Sequence, residues 1–247
     1  MLPTVIPLAG RQLVCDLGVI NHVIPGGLAD RSWPRVRLVG LRRELRFLRR
    51  RLPGCDESLE HYVQLLPDWT EDVLDDALGF LRWYRHRHHW TPQQNDHWLC
   101  QRAICLIGQD LQRQTGRSSL FAIQRSADQG WMQWRYQDAV SHASGEGWWI
   151  TVNPVRQWVA LATPALLQGK ARPPANVMFF PADDRVCAAV LGLEGLALVN
   201  CLIDDAPCAL QEWLAGSPLA SQDALWGFCR ELARCGVLAL TPRLIAA

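Results

Sequence analysis

No Cys-x-x-Cys pair occurs among the nine cysteines of this 247-residue chain. Structural zinc sites draw their ligands from closely spaced pairs, so a zinc module is not expected. Cys100/Cys105 and Cys229/Cys235 fall on predicted helices, and the odd total fits buried free thiols in a reducing compartment. The opening stretch MLPTVIPLAGRQLVCDLGVI lacks a basic segment and is broken by prolines, unlike a secretory signal. No apolar run reaches the ~18 residues that a membrane helix needs. A soluble cytoplasmic protein is the expectation. Neither His-x-Asp nor His-Glu-x-x-His appears, which counts against an iron oxygenase or a zinc hydrolase within this chain. A glycine-rich phosphate loop is missing too, because Gly192 and Gly195 read as a turn. No local Ser/His/Asp or Cys/His signature is present. Charge of one sign is also lacking: the net charge is +1, so no overall field draws the chain to nucleic acid or membranes. Lysine is nearly absent. Lys170 is the single one, and arginine, an excess that fits genome base composition, supplies the remaining basic residues.

What is present is an ordinary globular balance, 49% hydrophobic and 20% charged, long enough for two or three compact units. Residues 1–34, with Pro25-Gly26-Gly27 and Trp33-Pro34, read as an irregular arm. In RVRLVGLRRELRFLRRRL (35–52), Leu38, Leu41, Leu45, Leu48 and Leu52 recur at spacings of three and four, which predicts one helix. Arg42, Arg43, Arg46, Arg49, Arg50 and Arg51 occupy its other faces, and Pro53-Gly54 stops it. A second helix is predicted from Glu71 to Tyr84, capped by Thr70 and burying Leu74, Ala77, Leu78 and Leu81. A third begins at Thr91-Pro92-Gln93-Gln94, a capping box, with Cys100, Ile104, Ile107 and Leu111 inside. After Ser118, aromatic and branched stretches such as GWWITVNP and RQWVALATP alternate with glycine turns, which are strand and hairpin signals.

Past the linker of 169–174, NVMFF reads as a strand and RVCAAVLGLEGLALVNCLI (185–203) as a hairpin turning at Leu193-Glu194-Gly195. Asp205 can cap a helix ending at Gly216. Leu225, Phe228, Cys229, Leu232 and Cys235 line a last helix stopped by Gly236, and VLAL returns as a strand. The predicted fold class is therefore α+β: a helical region (1–117), a central antiparallel, aromatic-rich β-hairpin region (118–170) and a C-terminal winged-helix-like domain (176–247).

The pattern LEGLALVN…APCALQEWLAG…DALWGFCRELARCGVLAL resembles the PqqD-like domains that recognise leader peptides during ribosomal peptide modification, over residues 176–242. Leu198-Val199-Asn200 and Leu232 to Leu238 match that pattern, while the stretch from Asn200 to Asp205 is shorter than the first helix of a standard member. Helices first, an aromatic β region next and this module last also resemble the accessory subunits of iron-dependent peptide-modifying barrel enzymes (MbnC-like and TglI-like). The resemblance implies a non-catalytic partner that binds a precursor peptide and presents it to an iron enzyme oxidising cysteine, with the metal on that enzyme and no cofactor here.

For peptide capture the expected physics is strand addition along Leu196, Leu198, Val199, Asn200 and Leu202, with Trp226, Arg230 and Ala233 lining a groove. Arg42, Arg46 and Arg49, with Trp148 and Trp149, are the expected partner-docking residues; the alternative for the arginines is a solvated face. Trp131, Trp134 and Trp158 belong to the same aromatic set, half or more of it expected in the β core. His86, His88 and His89 lack the i, i+4 spacing of a metal pair and read as a basic helix end. Two readings from other classes stay open. One is a winged-helix transcription regulator, for which residues 221–235 carry no excess positive charge. The other is an enzyme with a dispersed site.

Overall fold

The computed structural model of the chain describes residues 4–6, 33–66, 72–115, 148–153, 155–167, 172–182, 185–191, 196, 199–200, 208–216, 222–234 and 237–242. Strand β1 is Thr4–Ile6, inside the segment predicted as an irregular arm. Helices α1 (Trp33–Glu44) and α2 (Arg46–Arg49) occupy the predicted 35–52 helix, which breaks at Leu45. The leucine stripe survives the break: Leu41, Leu45, Leu48 and Leu52 are all buried. A break frees backbone groups that a continuous helix would pair. Gln101 takes up two of them, accepting from Leu48 N–H (3.0 Å) and donating to the Glu44 carbonyl (2.9 Å).

Gly54, at φ 77°, sets the left-handed turn that starts α3 (Cys55–Leu65). This helix was not predicted, although Cys55, Leu59, Tyr62 and Val63 make a buried stripe at helical spacing. Helix α4 (Val73–Arg87) is capped by Asp72, which accepts from Leu74 N–H at 2.7 Å and Asp75 N–H at 3.2 Å. The predicted cap, Thr70, lies outside the described residues, and Asp72 holds the cap position. Helix α5 (Pro92–Thr115) begins with the predicted capping box, Thr91 and Gln94 exchanging bonds of 2.9 and 3.2 Å.

Strands β2 (Trp148–Val152) and β3 (Gln157–Leu161) form as expected but lie in different sheets rather than pairing with each other. Next come β4 (Ala175–Ala182), β5 (Arg185–Val190), the short β6 (Cys208–Ala209), helices α6 (Leu210–Gly216) and α7 (Gln222–Arg234), and the closing β7 (Leu238–Pro242). One antiparallel sheet runs β1-β5-β4-β3, the other β6-β2-β7. The predicted 185–203 hairpin is corrected here. β5 pairs with β4 and β1, and the backbone at Leu196 and Val199–Asn200 is helical. An apolar run does not specify its pairing partner, and β5 pairs back onto β4 from Ala182↔Arg185 to Val177↔Val190. Both sheets draw strands from either side of the 169–174 linker.

Strand periodicity explains the layers. Val177 and Phe179 point to one core with Ala188, Val190 and the α5 residues Ile104, Ile107 and Leu111. Met178 and Phe180 point the opposite way, into a second core with Ile150, Val152, Trp226, Cys229 and Leu232. From Val177 to Phe180 β4 is covered on both faces, which accounts for the unbroken apolar run there. A third core holds the leucine stripe, Leu59, Tyr62, Phe80 and Trp98 among the helices. Asp96 ties helices to sheet: fully buried, it accepts from Ala162 N–H (3.0 Å), Thr163 N–H (2.8 Å) and the Thr163 hydroxyl (2.6 Å). No helix among the described residues is long and apolar enough to cross a membrane.

Candidate functional site

Five of the six arginines singled out in 42–51 converge. Arg42, Arg43, Arg46, Arg49 and Arg50, with Asp56 from α3, line an open cleft of about 430 Å³. The break at Leu45 and the approach of α3 make this concavity. Asp56 orients its walls: Arg49 grips it through Nε (2.5 Å) and Nη2 (3.0 Å) while donating to the Arg42 carbonyl at 2.7 Å. The hydrogen bond from Arg49 holds the Asp56 carboxyl below its ordinary range. Arg42 reaches Glu60 at 2.6 Å, and its Nε lies 3.4 Å from Asp56 without making a hydrogen bond. Arg51 turns away, its guanidinium 3.9 Å from the Phe47 ring centre and bonded to the Phe47 carbonyl at 3.2 Å. Burial lowers its pKa from the usual arginine value.

Sequence reasoning missed the buried polar knot behind the cleft's helix. Arg37 donates to both carboxylate oxygens of Asp76, at 2.6 and 2.9 Å, and to the Leu66 carbonyl. Tyr62 donates to Asp76 Oδ1 at 3.0 Å, and burial together with the Asp76 charge pushes its phenol up. Periodicity hides such pairs because each member sits on an otherwise apolar face. His97 was also missed. Burial lowers its pKa, and its Nδ1 finds no hydrogen-bond partner among the described residues.

Four of the described thiols are shifted away from activation. Burial pushes Cys55 up to about 12 and raises Cys100, Cys208 and Cys229 as well, the opposite of what a nucleophilic thiolate requires. At the end of α4, His88 packs against Tyr84 with ring centres 4.4 Å apart and the rings tilted by 59°, and Trp90 donates to the Arg85 carbonyl at 2.9 Å. His86 and His89 are exposed in the same terminal stretch. Among the described residues no group of three or more potential metal ligands forms.

The predicted peptide groove changes most. Leu196 is half-buried, Val199 buried and Asn200 exposed, all on helical backbone, so these three residues offer no strand edge. Leu198 and Leu202 lie outside the described residues. Trp226 and Ala233 are 7% and 0% exposed in the core, because the apolar face of α7 packs onto the β6-β2-β7 sheet. Neither can touch a guest chain from there. The Trp226 indole N–H has no hydrogen-bond partner among the described residues. Arg230 lies on α7, and Trp148 and Trp149 on β2, with side chains outside the described set; Trp131 and Trp134 lie outside it altogether. Trp158 is exposed on β3. One element further on, a strand is paired on one side only among the described residues. β7 pairs in full register with β2, from Trp148↔Pro242 to Val152↔Leu238, and is the outer strand of its sheet among the described residues. No family model matches the sequence, and neither a curated protein nor a solved structure matches it. Among the described residues, the arginine cleft and the outer edge of β7 are two places where this chain's own geometry bears on function.

Proposed function

We propose that the chain is a non-catalytic partner protein that captures a ribosomally made precursor peptide and presents it to an iron-dependent enzyme acting on cysteine. Its C-terminal part would serve as a PqqD-like, winged-helix-type recognition module. The observation supporting this reading is the outer edge of β7, which follows α7 directly and is paired on one side only among the described residues. Unpaired N–H and C=O groups along such an edge template an added strand, so a guest gains affinity from main-chain hydrogen bonds. The capture site moves from residues 196–202 to residues 238–242. The resemblance over 176–242 adds the class of guest.

The test is fluorescence anisotropy of cysteine-containing precursor peptides titrated with the purified full chain, alone and with the iron enzyme. Strand addition predicts saturable binding that weakens at least tenfold when alternate peptide nitrogens are methylated. No binding in either state refutes the reading. Salt-sensitive binding of duplex DNA without peptide binding replaces it with the transcription-regulator alternative.

A further inference from the structure

We propose that the C-terminal end of α4, with the residues of α3 and α5 packed beside it, is a binding surface for single-stranded nucleic acid. From Ala77 to Asn95 the chain carries no carboxylate, while Arg82, Arg85, His86, Arg87, His88 and His89 are all exposed there. Arg82, Arg85 and Arg87 make no ion pair among the described residues. Acidic neighbours compensate little. Glu57 on α3 lies within electrostatic reach of Tyr84, and Asp96, at the start of α5, is buried and spent on Ala162 and Thr163. A helix dipole favours cations within the last turn, so it does not account for Arg82, which precedes the last turn of α4.

The cations are also mounted on aromatic rings. The Arg87 guanidinium lies over Trp83, 4.6 Å from the ring centre, and His61 of α3 stacks on the same indole at 6.0 Å with the planes 29° apart. Arg85 lies over Trp98 at 4.3 Å, and that indole is fixed by donating to the Leu81 carbonyl at 2.8 Å. A guanidinium held over a ring loses less freedom on binding. It keeps its N–H edge for a phosphate, and its outer face can stack a base. These two properties select the ligand. A carboxylate-rich partner would use the N–H edges and leave the planes idle, and a duplex offers phosphates but hides its base faces in the stack. A single strand supplies phosphates for the charges and splayed bases for the planes.

The inference is independent of peptide capture at β7, since α4 takes no part in that sheet. Fluorescence anisotropy of the full chain would use labelled oligo-dA and oligo-rA, an abasic strand of equal length, the dA·dT duplex and a poly-Glu peptide, each at several salt concentrations. The single strands should bind saturably, and three phosphate contacts predict a slope of about −2 in log K against log salt. A preference for either sugar supports the proposal and identifies which strand is read. The abasic strand should bind at least tenfold more weakly. Arg82→Gln/Arg85→Gln/Arg87→Gln should cost at least tenfold and flatten the slope. Arg35→Gln, exposed on α1 beside the opposite end of α4 where Arg37 meets Asp76, should change affinity less than twofold. Because Arg85 and Arg87 pack on rings, Arg85→Lys/Arg87→Lys keeps the charge as a check on folding. It should retain the slope and lose the advantage over the abasic strand. Absence of saturable single-strand binding, equal affinity for the abasic strand, tighter binding of the duplex or of poly-Glu, or an equal loss in Arg35→Gln would each overturn the proposal.

Discussion

Replacing Glu44 with glutamine should stabilise the protein, and the gain should grow with pH. Glu44 ends α1 with its side chain only 12% exposed, and a carboxylate there also opposes the helix dipole. Burial, reinforced by Asp72 and opposed by Arg43, raises its pKa from 4.5 to about 7. In the unfolded chain the same carboxyl titrates at its ordinary value. The native state therefore holds the extra proton, and stability is lost as pH rises from 4.5 through 7. At about 1.36 kcal/mol per pH unit, the ionised form costs about 3 kcal/mol above that window. Glutamine keeps the shape and removes the charge. Urea unfolding of both proteins at pH 5, 6, 7 and 8 should show a gap under about 1 kcal/mol at pH 5, widening to about 2–3 kcal/mol at pH 8. A gap that does not change with pH, or a glutamine variant less stable at pH 8, would refute the assignment of the burial cost to this carboxylate.

Gln101→Leu should cost about 2–4 kcal/mol, because the Glu44 carbonyl and Leu48 N–H lose their partner inside the protein; hydrogen exchange at Leu48 should accelerate beyond the global effect. Arg37→Met leaves Asp76 charged and buried, and urea unfolding should register a loss of about 3–5 kcal/mol. The double variant Arg37→Met/Asp76→Leu should recover most of that loss in the same assay. Gly54→Ala should cost about 1 kcal/mol in thermal unfolding. No atom crowds a Cβ at Gly54, so only the backbone at φ 77° resists the change.

Much of the helical half was legible because amphipathic spacing and capping are local. Thr91 and Gln94 cap α5 as their identities predict, and the leucines of 41–52 bury together. The break at Leu45 was not legible, since neither proline nor glycine stands there. It is tolerated because Gln101, distant in sequence, satisfies the freed groups. α3 carried a readable stripe, but a weak one, in which a cysteine and a tyrosine do the work of leucines. In the β half, strands were legible and partners were not. The alternation of β4 hides two opposite faces that are both apolar, and nothing local says that β2 and β3 join different sheets. For the candidate sites, the arginines announced a basic face, while their convergence depends on a helix break and on Asp56. Trp226 and Ala233 were misplaced into a groove because an apolar helix face looks the same whether a guest or the protein's own sheet covers it.

The β6-β2-β7 arrangement bears on how the molecule can be divided and how it matures. Its middle ribbon is made long before the outer ones, so Trp148–Val152 precedes its first partner, Cys208–Ala209, and then its second, Leu238–Pro242, in synthesis. A fragment beginning at residue 176 would keep β6 and β7 yet lack the ribbon between them, leaving Leu238–Pro242 without its described partner strand. The C-terminal part of this protein is not a detachable cassette; it is a seam sewn shut by a thread from the middle of the chain.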